Sequence, residues 1–231
     1  MAKKDNSGIE IIESADALKK EFFKAEGFLE KNSKLLTIVG GGLLAIVALY
    51  FGYNYYTQTQ EKEAQTALYD AVFSFEADSL NAALKGQGGN EGLLSVADNF
   101  GSTKAGKLAN LYAGIALMNQ SKFKEAIERL DKFSSSDEVV QGKAYALIGD
   151  CYMETKATQD AITYYKKAVD FKPNKFATPG YMMKLATAYT EAKDSKGALD
   201  VYASIIEQYP ASQEVVMAKK YKSRLEAEAG E

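Results

Sequence analysis

Hydrophobic and polar positions divide the chain into stretches of different period. Leu35 to Tyr56, LLTIVGGGLLAIVALYFGYNYY, carries no charged residue, and the charge-free run continues to Gln60. About 20 apolar residues suffice for a helix to cross a hydrocarbon core of roughly 30 Å, so the run predicts a single membrane-spanning helix. Ahead of it, Leu18, Phe22, Ala25 and Leu29 recur at helical spacing with lysines and glutamates between, which predicts an amphipathic helix beginning near Ile9. Behind it, Ala64, Ala67, Leu68, Ala71, Val72, Phe75 and Leu80 keep a 3.6-residue period, predicting a soluble helix over 61–84. The glycine-dense loop 86–92 reads as a flexible turn. Neither a preceding strand nor a Gly-Lys-Ser/Thr accompanies it, so it is no phosphate cradle.

After the loop the pattern repeats. The segments LYAGIALMNQSKFKEAIERL (111–130), YALIGDCYMETKATQDAITYY (145–165) and MKLATAYTEAKDSKGALDVY (183–202) share one template. A small residue (Gly114, Gly149, Ala186) is followed three positions later by a bulky one (Leu117, Tyr152, Tyr189). Twelve after the small residue comes an alanine (Ala126, Ala161, Ala198), and four beyond that Leu130, Tyr165 or Tyr202. Two helices joined by a tight turn approach closely only where their crossing residues lack bulk, so these six small residues are the expected repeat-packing positions. Each hairpin then leaves an apolar face for the next to cover, and the stack forms a solenoid with a concave and a convex surface. Leu93–Phe100 reads as part of an earlier, degenerate repeat completed by the 61–84 helix. Ser212–Glu228, with Val215, Val216, Ala218 and Leu225, reads as a capping helix.

The expected fold is therefore all-α: a single N-terminal transmembrane helix followed by an α-solenoid. The expected divisions are a leader at 1–34, the transmembrane helix at 35–56, a juxtamembrane helix and loop at 57–92, repeats at 93–210 and a cap at 211–231. Within the span, Gly41, Ala45, Ala48 and Gly52 fall at steps of four, three and four. They form a face of small residues on which another membrane helix can pack. A cleaved signal sequence fits poorly, because seven lysines and seven acidic residues precede a run that no cleavage-type site follows.

Charge changes the picture in one place. The overall net charge of −3 gives no basic surface for nucleic acid. Lys19, Lys20, Lys24, Lys31 and Lys34 lie before the span, against Lys62 alone within 20 residues after it. The positive-inside rule then keeps the start cytoplasmic and puts the repeats across the membrane. Candidate chemistry is sparse. The chain has no histidine and one cysteine, Cys151, which removes the usual general base, the commonest metal ligand and any intramolecular disulfide. Asp150, Glu154 and Asp160 read as solvated charge rather than a cation site, and the chain reads as a non-enzyme without cofactor or metal.

The template resembles the tetratricopeptide repeat, whose proline after the second helix stands here at Pro173 and Pro210; the first repeat has Glu138 instead, and the family's early tryptophan is missing. That resemblance implies a concave groove lined by Leu108, Leu111, Ile115 and Met118, then Lys143, Ala146, Asp150 and Met153, then Met183, Thr187 and Thr190. One end is apolar and contains methionine, which suits unfolded or emerging polypeptides, unless the 61–84 helix covers it. The lysine and asparagine set with which chaperone-docking members grip a carboxylate is absent. The order of leader, span, tyrosine-rich exit and repeats, with NFGSTKAGKLANLYAGIALMNQSKFKEAIERL (99–130), is similar to the YfgM-type family of bacterial inner-membrane proteins, in its Bacteroidetes-type form. This implies an ancillary, chaperone-like subunit of the Sec translocon, with a periplasmic repeat domain and a membrane-anchored periplasmic prolyl isomerase as partner. An envelope-assembly or signalling adaptor that holds one folded partner is the open alternative.

Overall fold

The computed structural model describes residues 15–230, in which eleven helices and no strand occur. The start of the amphipathic helix expected from Ile9 lies outside the described residues. The chain divides into two compact units, Met1–Thr57 and Gln58–Glu231.

In the first unit, α1 (Ala15–Lys31) is followed by α2 (Ser33–Glu76), a 44-residue helix that continues into the second unit. Asn32 bridges them, its amide N–H and its side chain both donating to the Phe28 carbonyl. One stretch of α2 is long and apolar enough to cross a membrane, and none of it is buried. Ile38, Leu44 and Leu49 are each more than 70% exposed. So continuous an apolar surface, with no protein against it, is what a lipid-facing helix presents.

In the second unit the end of α2 turns one face into the repeats. Ala64, Leu68 and Ala71, spaced four and three apart, are buried in one cluster with helix α5 (Lys104–Asn119). The Phe75 ring meets the Tyr112 ring edge-on at 5.4 Å. A Glu61 carboxylate oxygen accepts the Lys104 amide N–H at 2.7 Å, placing negative charge at the positive end of α5. The helix expected over 61–84 is broken: α2 ends at Glu76, Asp78 takes a left-handed φ of 57°, and a short α3 (Leu80–Lys85) follows. The loop to α4 (Leu93–Asn99) is also tighter than the flexible turn expected. A Cβ on Gly86 would come within 2.1 Å of the Asn90 carbonyl, and one on Gly92 within 2.5 Å of the Leu84 carbonyl, so both glycines let the backbone close on itself.

Three hairpins follow: α5 with α6 (Phe123–Asp131), α7 (Glu138–Glu154) with α8 (Thr158–Asp170), and α9 (Thr178–Glu191) with α10 (Ser195–Gln208). Thr103, Asp137 and Asp194 cap α5, α7 and α10 by accepting amide N–H groups of their first turns. Each hairpin turns through one left-handed residue at the same register: Ser121 (φ 58°), Lys156 (63°) and Lys193 (60°). The next amide in each case donates back to the carbonyl of the bulky template residue, Lys122 to Leu117, Ala157 to Tyr152 and Asp194 to Tyr189. This is the six-to-one closure that normally selects glycine. The last helix, α11 (Glu214–Ala229), packs on α10 and α9 through Val215, Ala218 and Leu225.

Candidate functional site on the inner face of the repeats

The repeat-packing residues set how closely the two helices of each hairpin approach. A Cβ on Gly114 would stand 2.5 Å from Leu130 Cγ, and one on Gly149 2.5 Å from Tyr165 Cε1. Ala126, Ala161, Ala186 and Ala198 are fully buried, and Ala186 shares a cluster with Tyr202. Leu130, Tyr165 and Tyr202 occupy one register on the second helix of each hairpin, and their tips reach the first helices.

The apolar end of the inner face is partly consumed. Leu111 is only 7% exposed, and Leu108, Ile115 and Met118 are half-buried against the cluster that contains Ala64, Leu68 and Ala71 of α2. The middle is polar and already paired. Asp150, read from sequence as solvated charge, accepts from the Tyr165 hydroxyl at 2.7 Å and from the Lys184 ammonium at 2.8 and 3.0 Å. It thereby ties α7 to both α8 and α9. Burial, joined by the Asp150 charge, pushes the Tyr165 phenol well above its ordinary range, so it remains a donor. Lys143 is exposed, Ala146 is buried, and Met153 and Met183 are half-buried.

The far end is open. Thr187, Thr190 and Glu191 of α9, Tyr202 of α10, and Tyr221, Arg224, Leu225 and Glu228 of α11 line a cleft of about 360 Å³. The Tyr202 ring lies 5.9 Å from that of Tyr221, and the Thr187 and Thr190 hydroxyls donate to the Met183 and Ala186 carbonyls of their own helix. Arg224 Nε donates to Glu228 at 2.7 Å. Sequence reasoning gave α11 only a capping role, yet it supplies half of this cleft. The signal was present as spacing: Ile115, Asp150, Thr187 and Arg224 follow one another at 35, 37 and 37 residues, so α11 stands where the first helix of a fourth repeat would.

Cys151 is fully buried, and desolvation, reinforced by Asp150, pushes its thiol up to about 12. Among the described residues no group of three metal-ligating side chains occurs. Gly41, Ala45, Ala48 and Gly52 are exposed on α2, and a Cβ on Gly41 or Gly52 would meet nothing within 4 Å.

Stacked antiparallel helix hairpins with a small-against-large crossing define a helical-repeat solenoid. Family profiles described as tetratricopeptide repeat match residues 111–176 and 181–212. A crystal structure of MamA protein superimposes with a TM-score of 0.50 at 17% identity, covering 70% of this chain and 85% of that one. A second MamA crystal structure covers 56% of this chain and 81% of that one at 20% identity, with a TM-score of 0.41. These likenesses concern the fold. No curated protein matches the chain. Tetratricopeptide repeats mark a protein–protein interaction scaffold, and one helix of this chain is apolar enough for a membrane span.

Proposed function

We propose that the protein is a membrane-anchored scaffold: residues 35–56 span the bacterial inner membrane, the leader stays in the cytoplasm, and the periplasmic repeats bind polypeptide partners on their inner face. The observation that carries this reading is the pairing, in one chain, of an apolar helix with no protein packed on it and a repeat surface with no catalytic constellation. The YfgM-type resemblance supports a finer version. In it the protein is an ancillary, chaperone-like subunit of the Sec translocon that meets emerging polypeptides and a membrane-anchored prolyl isomerase. The packing face at Gly41, Ala45, Ala48 and Gly52 serves a neighbouring membrane helix. Purification from native membranes after mild crosslinking should recover translocon and isomerase subunits; their absence at the level of a control membrane protein refutes the finer version.

One observation favours the second reading, an adaptor for a single folded partner. The apolar end is partly filled by α2, whereas the open end is lined by hydroxyls, two tyrosine rings and the Arg224–Glu228 ion pair. Recovery of one folded protein, lost on Thr187→Lys or Tyr221→Ala and unaffected by Met118→Ala, supports the adaptor.

A further inference from the structure

Helix α2 has two faces in the second unit. One, through Ala64, Leu68 and Ala71, is buried in the repeats. The other leaves Tyr69 72% and Phe73 66% exposed, although both are large aromatics in a soluble part of the chain. Lys62, Gln65, Thr66, Tyr69 and Asp70 line a shallow hollow on that face. Within this unit Lys62, Thr66, Tyr69 and Phe73 follow at steps of four, three and four along the helix. Such a step defines the seam of a left-handed coiled coil. In that register Lys62, Gln65, Thr66 and Tyr69 are the four positions that form the hole for a knob from a parallel partner helix, and Asp70 belongs to the next hole.

We infer that this face pairs with the same face of a second copy of the chain, in a parallel dimer along α2. The inference rests on the reading that residues 35–56 span a membrane, since copies inserted by one route share one orientation. A second copy then presents each position to its own equivalent, as a two-fold interface requires. Charge fits the same occupant. Lys62 forms no ion pair among the described residues; in a parallel seam it faces Lys62 of the second copy, and the Glu63 carboxylates beside that layer, one from each copy, offset the like charge. Tyr69 and Phe73, otherwise exposed, bury their rings against their equivalents in that seam.

Full-length variants that each add one cysteine, in native membranes, test this by oxidation with copper–phenanthroline; Cys151 is buried and stays silent. Thr66→Cys, Tyr69→Cys and Phe73→Cys should each give about fivefold more disulfide dimer than Lys166→Cys, which is exposed on α8. Lys62→Glu should lower the Thr66→Cys yield severalfold, and adding Glu63→Lys should restore it. Equal yields at Lys166 and Tyr69, crosslinking to a different polypeptide, or no rescue by the charge swap each overturn the dimer. The same membranes separate this from the scaffold reading. Crosslinked dimers without translocon or isomerase subunits refute only that reading's finer version, and co-purification without dimers refutes only the seam.

Discussion

Gly149→Ala adds one methyl where α7 crosses α8, and the structure sets its cost. The new Cβ would lie 2.5, 2.6 and 3.0 Å from three atoms of the Tyr165 ring. Ordinary carbon contacts are about 3.5–4.0 Å, so the ring or the helix pair must move by roughly 1 Å. Tyr165 cannot swing away, because it is 3% exposed and its hydroxyl is held by Asp150 at 2.7 Å. Overpacking of this kind costs about 1–3 kcal/mol, and the upper part of that range applies to a ring fixed at both ends. Alanine's better helix propensity returns about 1 kcal/mol. The net expectation is a loss of about 1–2 kcal/mol. Gly180→Ala is the matched control, since its Cβ would meet only Glu214 Oε1 at 3.7 Å and should be neutral or slightly stabilising.

Repeat arrays open locally, so the assay should report this hairpin as well as the whole chain. Urea unfolding of the full chain in detergent, followed by circular dichroism, supplies the global measure. Alkylation of Cys151, two residues from Gly149 and fully buried, supplies the local one. A loss of 1–2 kcal/mol corresponds to native-state alkylation about five- to thirtyfold faster than in the parent. Unchanged alkylation and an unchanged urea midpoint for Gly149→Ala would show that the small-against-large crossing does not set the hairpin geometry. Ala186 opposite Tyr202 does not forestall the test, because α9 and α10 are built around that methyl from the start.

Three further outcomes follow from the same geometry. Ser121→Gly, Lys156→Gly and Lys193→Gly remove left-handed strain of about 1–2 kcal/mol and cost about 0.5–1 kcal/mol in chain entropy, so each should raise stability by roughly 0.5–1 kcal/mol in urea titrations. In the parent, Cys151 should resist Ellman's reagent at pH 8 and react stoichiometrically once urea unfolds the repeats, because burial holds its thiol near 12. Tyr164 is raised to about 12 by burial and Asp131, and Tyr165 is raised further, so the neutral phenols favour the folded state. That contribution is complete below about pH 10, the ordinary tyrosine value, and is lost as pH rises through 12. Alkaline unfolding in that window, with phenolate absorbance at 295 nm lagging behind free tyrosine, checks the sign.

The hairpins were legible in sequence because their geometry depends on residue size at fixed spacing, and size can be read directly. A missing Cβ at Gly114 and Gly149 and the ring at Tyr165 carry the same information in one dimension as in three. The break after Glu76 was hidden for the converse reason. Leu80, Ala83 and Leu84 keep the helical period across it, since both pieces bury apolar residues in the same core, and Asp78-Ser79 is a weak punctuation. The turns at Ser121, Lys156 and Lys193 were equally silent, because left-handed backbone was to be expected at glycine and none stands there.

Groove chemistry was the least legible part, because it depends on pairings between repeats. Sequence spacing places Asp150 on the inner face, but only the neighbouring Lys184 and Tyr165 reveal that it braces α7 rather than waiting for a ligand. The same reasoning moves the free surface toward the C-terminal end. Leu111 and Met118 are engaged by the core near α2, while Arg224 and Tyr221 of α11 extend the inner face beyond the last matched repeat. A partner that reads this surface meets hydroxyls, paired charges and two tyrosine rings rather than a bed of methionines. Its affinity should therefore fall with salt, and weakening from 50 to 500 mM NaCl would separate it from a binder of bare apolar chain, which salt leaves unweakened.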